Sequence, residues 1–156
     1  MNRYFCRLAF VLLLAPSLSS AQQSLVGTYK LTSFVLEVDG TPSQGTVGPD
    51  PHGYLIITPT HLLLAYTGKN RKFGTSVEEK AALWETLGFY GGPYQVQGDK
   101  LIMSVDLSWN QSWTGTKQTR TFKSDANRLT IASAPIPFPR DPSKTVVSRL
   151  IWEKVE

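Results

Sequence analysis

From Leu25 onward the sequence keeps breaking into short β-prone runs separated by Gly, Pro, Asn and Asp, and this cadence limits the chain to very few folds. Leu25 to Val38 is rich in Val, Leu, Tyr, Phe and Thr and ends at the turn pair Asp39-Gly40. A Gly/Pro-rich loop follows from Thr41 to Pro51. Gly53 to Thr58 and Leu62 to Thr67 then form a hairpin around Pro59-Thr60. Tyr94 to Gln97 and Leu101 to Leu107 flank Gly98-Asp99, and Thr116 to Lys123 and Leu129 to Ser133 flank residues 124–127. Thr145 to Lys154 is the last run, making eight strands in succession. A meander of eight strands tends to curl and close, because closure removes the exposed edges that invite aggregation. The expected fold is all-β: an eight-stranded antiparallel up-and-down barrel with one short helix.

That helix begins at Ser76. Ser76-Val77-Glu78-Glu79 has the form of a capping box, with two acids at the positive end of the helix. Val77, Ala81, Trp84 and Leu87 form an apolar stripe at helical spacing, and Gly91-Gly92-Pro93 is the expected stop. The stripe implies packing across the barrel or its mouth. Pro135, Pro137, Pro139 and Pro142 make Ala134 to Pro142 an extended loop, excluded from helix and from a central strand, with Ile136 and Phe138 as anchors.

The first residues have the form of a secretory leader. Arg3 and Arg7 precede the unbroken apolar run Leu8 to Ala15, Pro16 ends it, and Ser19 and Ala21 satisfy the small-x-small rule for cleavage before Gln22. The run is too short to cross a bilayer, which takes roughly 20 apolar residues. The expected organisation is a signal peptide over 1–21 and one barrel domain over 22–156, with no transmembrane segment in the mature chain and a secreted or periplasmic location. Losing the leader lowers the formal charge from +4 to about +2, too weak a field for nucleic acid. The basic cluster Lys69-Arg71-Lys72 lies among Gly68, Asn70 and Gly74, as a solvated loop tip does. The single cysteine, Cys6, lies in the leader, so the mature domain has no disulfide and must hold by packing.

Catalytic patterns lack their ingredients. His52 and His61 each sit beside a turn, and neither has a second histidine at metal-ligand spacing. There is no Gly-x-Ser-x-Gly and no P-loop. No metal and no cofactor is expected. Asn110-Gln111-Ser112 is a glycosylation sequon that a turn explains equally well.

The strand Thr116 to Lys123 is more informative. Alternate residues share a face, so an inward Phe122 carries Arg120, Gln118 and Thr116 inward with it. An inward guanidinium needs a partner, because an unpaired buried charge is very costly. Asp106 on the preceding strand is the internal candidate, and an anionic ligand is the alternative. The aromatic residues, among them Tyr54, Tyr66, Trp109 and Trp152, either fill the barrel or line a pocket.

Several segments together resemble a known family. Leu25-Val26-Gly27-Thr28-Tyr29-Lys30-Leu31 resembles the opening strand of lipocalin-like domains, with Tyr29 where lipocalins usually carry Trp. Residues 50–59, residues 78–81 leading to 90–94, residues 115–122 and residues 145–153 are similar in order to the family's hairpin, helix and closing strands. The resemblance, to the lipocalin-like domain proteins of bacteria and fungi, covers nearly all of the mature chain. It implies a barrel with a central cavity. Related barrels bind apolar small molecules, and some act as isomerases or cyclases in natural-product pathways; a shared fold does not choose between these. Relatives often carry His near the position of Ser104, and its absence here weakens acid/base chemistry from that strand.

The function expected is therefore a secreted lipocalin-like protein that binds a small apolar or weakly acidic molecule in its barrel. Tyr29, Tyr66, Met103, Gln118, Arg120 and Trp152 are the interior candidates, with Trp84 as a lid. The alternative is an isomerase or cyclase in which Arg120 and Tyr66 stabilise negative charge and Asp106 moves a proton. A barrel filled by side chains and acting through its surface is a third possibility.

Overall fold

The structure, a computed structural model, describes residues 20–43, 45, 47–138 and 141–156. Apart from Ser20 and Ala21, the expected leader lies outside the described residues. The chain runs α1 (Ser20–Ser24), β1 (Gly27–Val38), β2 (Thr41–Ser43), β3 (His52–Ile57), β4 (His61–Thr67), α2 (Val77–Glu85), β5 (Leu87–Gln97), β6 (Lys100–Ser104), β7 (Leu107–Ser108), a 3-10 turn (Gln111–Trp113), β8 (Lys117–Asp125), β9 (Arg128–Ser133), β10 (Ile136–Phe138) and β11 (Asp141–Lys154). Strands β1, β3, β4, β5, β6, β8, β9 and β11 pair in that order, and β11 returns to pair with β1. The result is a closed eight-stranded antiparallel barrel, with β2, β7 and β10 attached as short extra strands.

Alternation of side chains produces the core. Tyr29 and Leu31 on β1, Leu55 and Ile57 on β3, Leu62 and Leu64 on β4, Leu101 and Met103 on β6, Leu129 and Ile131 on β9, and Leu150 and Trp152 on β11 all point inward and are buried. On β1 the register slips between Leu31, opposite Trp152, and Ser33, opposite Ile151. This bulge keeps Phe34 against the core after the slip. On the outside of the β1–β11 seam, Arg149 Nε and Nη2 donate to the two Glu37 oxygens at 2.8 and 3.1 Å. The guanidinium holds the Glu37 carboxyl below its ordinary range and is itself raised by the carboxylate.

The structure differs from the sequence expectation in the middle of the chain. The capping box at Ser76 forms as expected, but α2 ends at Glu85 with Thr86 as its cap, and Leu87 already belongs to β5. Its stripe is not core: α2 buries no side chain, and Val77 and Trp84 are largely exposed. The expected stop, Gly91-Gly92-Pro93, lies within β5. There β5 changes neighbour, from β7 at Tyr90 and Gly91 to β6 at Tyr94 and beyond. Gly92 has φ +154°, and a Cβ there would overlap the Ser104 carbonyl. Its missing side chain is what permits the exchange of neighbours. In the proline-rich segment, Ile136–Phe138 forms a short edge strand on β11, where proline is tolerated, and Ile136 is half exposed rather than anchored.

The Glu37–Arg149 pair sets an acid limit. Its depressed carboxylate contributes stability above the unfolded value of 4.5, and that contribution is lost as pH falls through the lower folded value. Thermal unfolding followed from about pH 6 to about pH 3 should show a falling midpoint. In Glu37→Gln that fall should be shallower; an identical pH profile would show that the pair does not hold the seam.

Candidate functional site

The barrel interior divides into a packed half and a half that opens to a mouth. In the packed half Tyr29, Leu55, Ile57, Leu62, Tyr94, Leu129 and Trp152 are buried together, with Leu25 beneath them. The Tyr29 hydroxyl donates to the Leu25 carbonyl at 2.9 Å, and the Lys154 ammonium lies 5.8 Å from its ring centroid. The Tyr94 hydroxyl donates to the Thr58 carbonyl at 3.0 Å. Burial pushes both tyrosines above their ordinary range. Three of the expected cavity residues, Tyr29, Met103 and Trp152, belong to the buried core, at 3%, 1% and 0% exposure. Their inward direction was readable from alternation, but depth along the barrel was not. Trp152 Nε1 is fully buried and has no hydrogen-bond partner among the described residues.

Toward the mouth the interior becomes aromatic and polar. Phe34 meets Tyr66 edge to face at 5.3 Å, and Trp113 meets both Tyr90 (5.2 Å) and Trp109 (4.9 Å) in the same manner. A cavity of about 480 Å³ opens here, lined by Phe34, Val47, Tyr66, Leu87, Trp109, Asn110 and Gln111, with Trp84 and Glu85 of α2 at its edge. Its size falls within the usual range for one small ligand, roughly 300–1,000 Å³. Tyr66 and Trp84, from the expected set, therefore share one cavity. Asn110 Oδ1 accepts from the Ser112 amide and hydroxyl, so the sequon is a turn at the cavity rim.

Gln118 and Arg120 point inward as parity required, each partly buried between exposed neighbours. Gln118 Nε2 donates to Thr116 Oγ1 at 3.2 Å. Arg120 does not pair with Asp106, which is exposed and forms no ion pair among the described residues. Asp106 follows the end of β6 and its amide is drawn to the Gly91 carbonyl, so it does not continue the inward alternation of that strand. Arg120 instead lies 6.0 Å over the Trp113 ring and donates one bond to the Thr119 carbonyl at 3.1 Å. No carboxylate neutralises it among the described residues.

Arg120 and Gln118 do not line the cavity itself; its polar lining is Tyr66, Glu85, Asn110 and Gln111. The Tyr66 hydroxyl makes no hydrogen bond among the described residues, and it is open to the cavity's solvent rather than sealed in the core. Burial, reinforced by Tyr90 and opposed by the positive field of Arg120, pushes it well above the ordinary tyrosine range, so it remains a proton donor. Sequence reading missed Gly88, which makes this placement possible. Gly88 faces Tyr66 across the β4–β5 pair, and a Cβ there would overlap the phenol ring. The signal was a glycine inside an otherwise apolar and aromatic run, which marks close approach of another group. Glu85 and Leu87 were likewise missed as cavity residues, because the helix was expected to continue through them.

The lipocalin-like domain model matches residues 26–155. The chain belongs to the lipocalin-like domain family, and its closed barrel is the architecture that membership implies. No curated protein matches the chain. Among the described residues no group of His, Cys, Asp and Glu is placed to hold a metal, and no helix is long and apolar enough to cross a membrane.

Gly88→Ala should displace the Tyr66 ring and destabilise the barrel by about 1–3 kcal/mol, measured by denaturant unfolding. In an ultraviolet titration of the folded protein, the Tyr66 signal, identified as the difference from Tyr66→Phe, should appear well above the ordinary value of 10.0. A Tyr66 signal at that ordinary value would show that burial does not raise it.

Proposed function

We propose that this protein is an exported carrier that takes one small molecule, with an apolar body and an acidic group, into the mouth of its barrel. The observation that carries this reading is Arg120, an inward guanidinium against Trp113 beside the cavity, without a carboxylate partner among the described residues, whose positive field reaches the Tyr66 hydroxyl in the cavity wall. A carboxylate or enolate between them would satisfy both groups. The aromatic walls of Phe34, Tyr66 and Trp109 suit an apolar body. Trp84, at the edge of α2, is the contact a ligand would pass on entry. Export is supported by the charged, apolar and small-residue segments of residues 1–21. The isomerase or cyclase alternative drew its proton carrier from Asp106, which the fold leaves exposed and apart from Arg120.

The direct test is native mass spectrometry of the protein purified from its own host, compared with the denatured mass. A released acidic molecule of a few hundred daltons is the expected result. Affinity for probes tests the site itself. The anionic dye anilinonaphthalene sulfonate should bind at least about tenfold more weakly to Arg120→Ala, because a hydrogen bond to a charged group contributes about 1.5–3 kcal/mol. The uncharged phenylnaphthylamine should bind both proteins alike. Equal loss for the two probes would remove the acid-binding role of Arg120.

A further inference from the structure

We infer that the molecule held at the mouth is polar at both ends: besides the acidic group proposed above, on which this inference rests, it carries a hydroxyl or amine at its far end, and Glu85 selects for that group. The cavity has two polar poles. One is the Tyr66 hydroxyl, a proton donor in the positive field of Arg120. The other lies at the rim, where Glu85 joins Asn110 and Gln111. Phe34, Val47, Leu87 and Trp109 supply the apolar lining of the same cavity.

Glu85 is poorly placed for a residue that serves only its helix. It is the last residue of α2, and the negative end of a helix favours cations over carboxylates. The acids that suit α2, Glu78 and Glu79, stand in its first turn, and its last turn holds no basic residue to offset Glu85. Arg71 does reach this end of the helix, but its Nη2 donates to the Leu83 carbonyl at 2.7 Å. No ion pair joins Arg71 to Glu85 among the described residues. Two clefts at the helix end divide these groups. Arg71 and Leu83 line the one between α2 and the loop of residues 68–74, whereas Trp84 and Glu85 border the mouth cavity. The Glu85 carboxylate thus stands on the cavity side, with no hydrogen bond or ion pair among the described residues.

The two poles lie within reach of one small molecule. The Tyr66 phenol lies against Gly88 across the β4–β5 pair. Glu85 precedes Gly88 by three residues, and three residues span at most about 11 Å. The poles also differ in what they ask of a ligand. Tyr66, held protonated, donates to an acidic group, whereas a carboxylate only accepts. The group that meets Glu85 must therefore donate, as a hydroxyl or ammonium does, and a second acid there is repelled.

Three fluorescent probes separate the poles: 2-naphthoate, 6-hydroxy-2-naphthoate and 6-methoxy-2-naphthoate. All carry an acid on the same apolar body, and only the hydroxy compound carries a donor at the far end. With the protein recovered after export of the full chain, the hydroxy probe should bind about three- to tenfold more tightly than 2-naphthoate, and the methoxy probe should not share the gain. Glu85→Ala should remove the gain while leaving 2-naphthoate affinity and far-ultraviolet circular dichroism unchanged. Glu85→Gln, which keeps an acceptor oxygen, should retain part of it. Equal affinity for the hydroxy and methoxy probes overturns the inference, as does a hydroxyl gain that survives Glu85→Ala. In either case 2-naphthoate binding that Arg120→Ala weakens leaves the carrier reading standing. If none of the three probes binds, the acid-binding reading fails, and this inference with it.

Discussion

Pairing of β11 with β1 is the constraint from which the rest of the structure follows. Until the last strand returns to the first, the sheet has two open edges, and each inward side chain lacks neighbours across the interior. The seam runs from Tyr29 opposite Lys154 to Val38 opposite Val146, so it extends from the packed end to the mouth. Its bulge lets β1 follow the curve of the barrel while Tyr29 and Leu31 before it and Phe34 after it remain against one core. The Arg149–Glu37 fork lies on the outside of this seam, where it favours one register at little cost in desolvation.

Closure also explains why the two ends of the barrel differ. Long aliphatic side chains and Trp152 converge at one end and fill it, aided by Leu25 and the Tyr29 hydroxyl. At the other end the inward positions are Tyr66, Arg120, Gln118 and glycines, and these cannot close the space with apolar packing. The same strands therefore carry a core at one end and a cavity at the other. Stability resides mainly in the former, which leaves the latter free to carry part-buried polar groups. α2 fits this division, since it is tied down through its own caps and a bond from Arg71 to the Leu83 carbonyl and contributes nothing to the core.

The wall of β3, β4 and β5 shows a different use of apolar residues. Its inward side chains belong to the core, and its outward ones repeat the same chemistry on the far side of the sheet. In a strand covered on both sides such near-continuous apolar runs are ordinary. In a single-layer barrel the outer half is left exposed among the described residues, as Tyr54, Ile56 and Leu63 are.

What the sequence alone determined were the properties carried by local pattern. Eight strands, the Ser76 capping box, the inward parity of Gln118, Arg120 and Phe122, and the family resemblance were all legible, because alternation, turn chemistry and capping act between residues close in the chain. The expectations that failed depended on distant parts of the chain. Gly91-Gly92-Pro93 has the local form of a helix stop, and only the exchange of β7 for β6 beside β5 makes it a strand kink. Val77 and Trp84 have the spacing of a buried stripe, but no element among the described residues lies where it would bury them. Tyr29, Met103 and Trp152 share an inward face with Tyr66, and only their depth in the closed barrel separates core from cavity. That no carboxylate pairs with Arg120 among the described residues was decided in the same way, by where closure placed Asp106. Sequence period specifies which face of a strand a side chain occupies, and tertiary structure alone specifies what lies opposite that face.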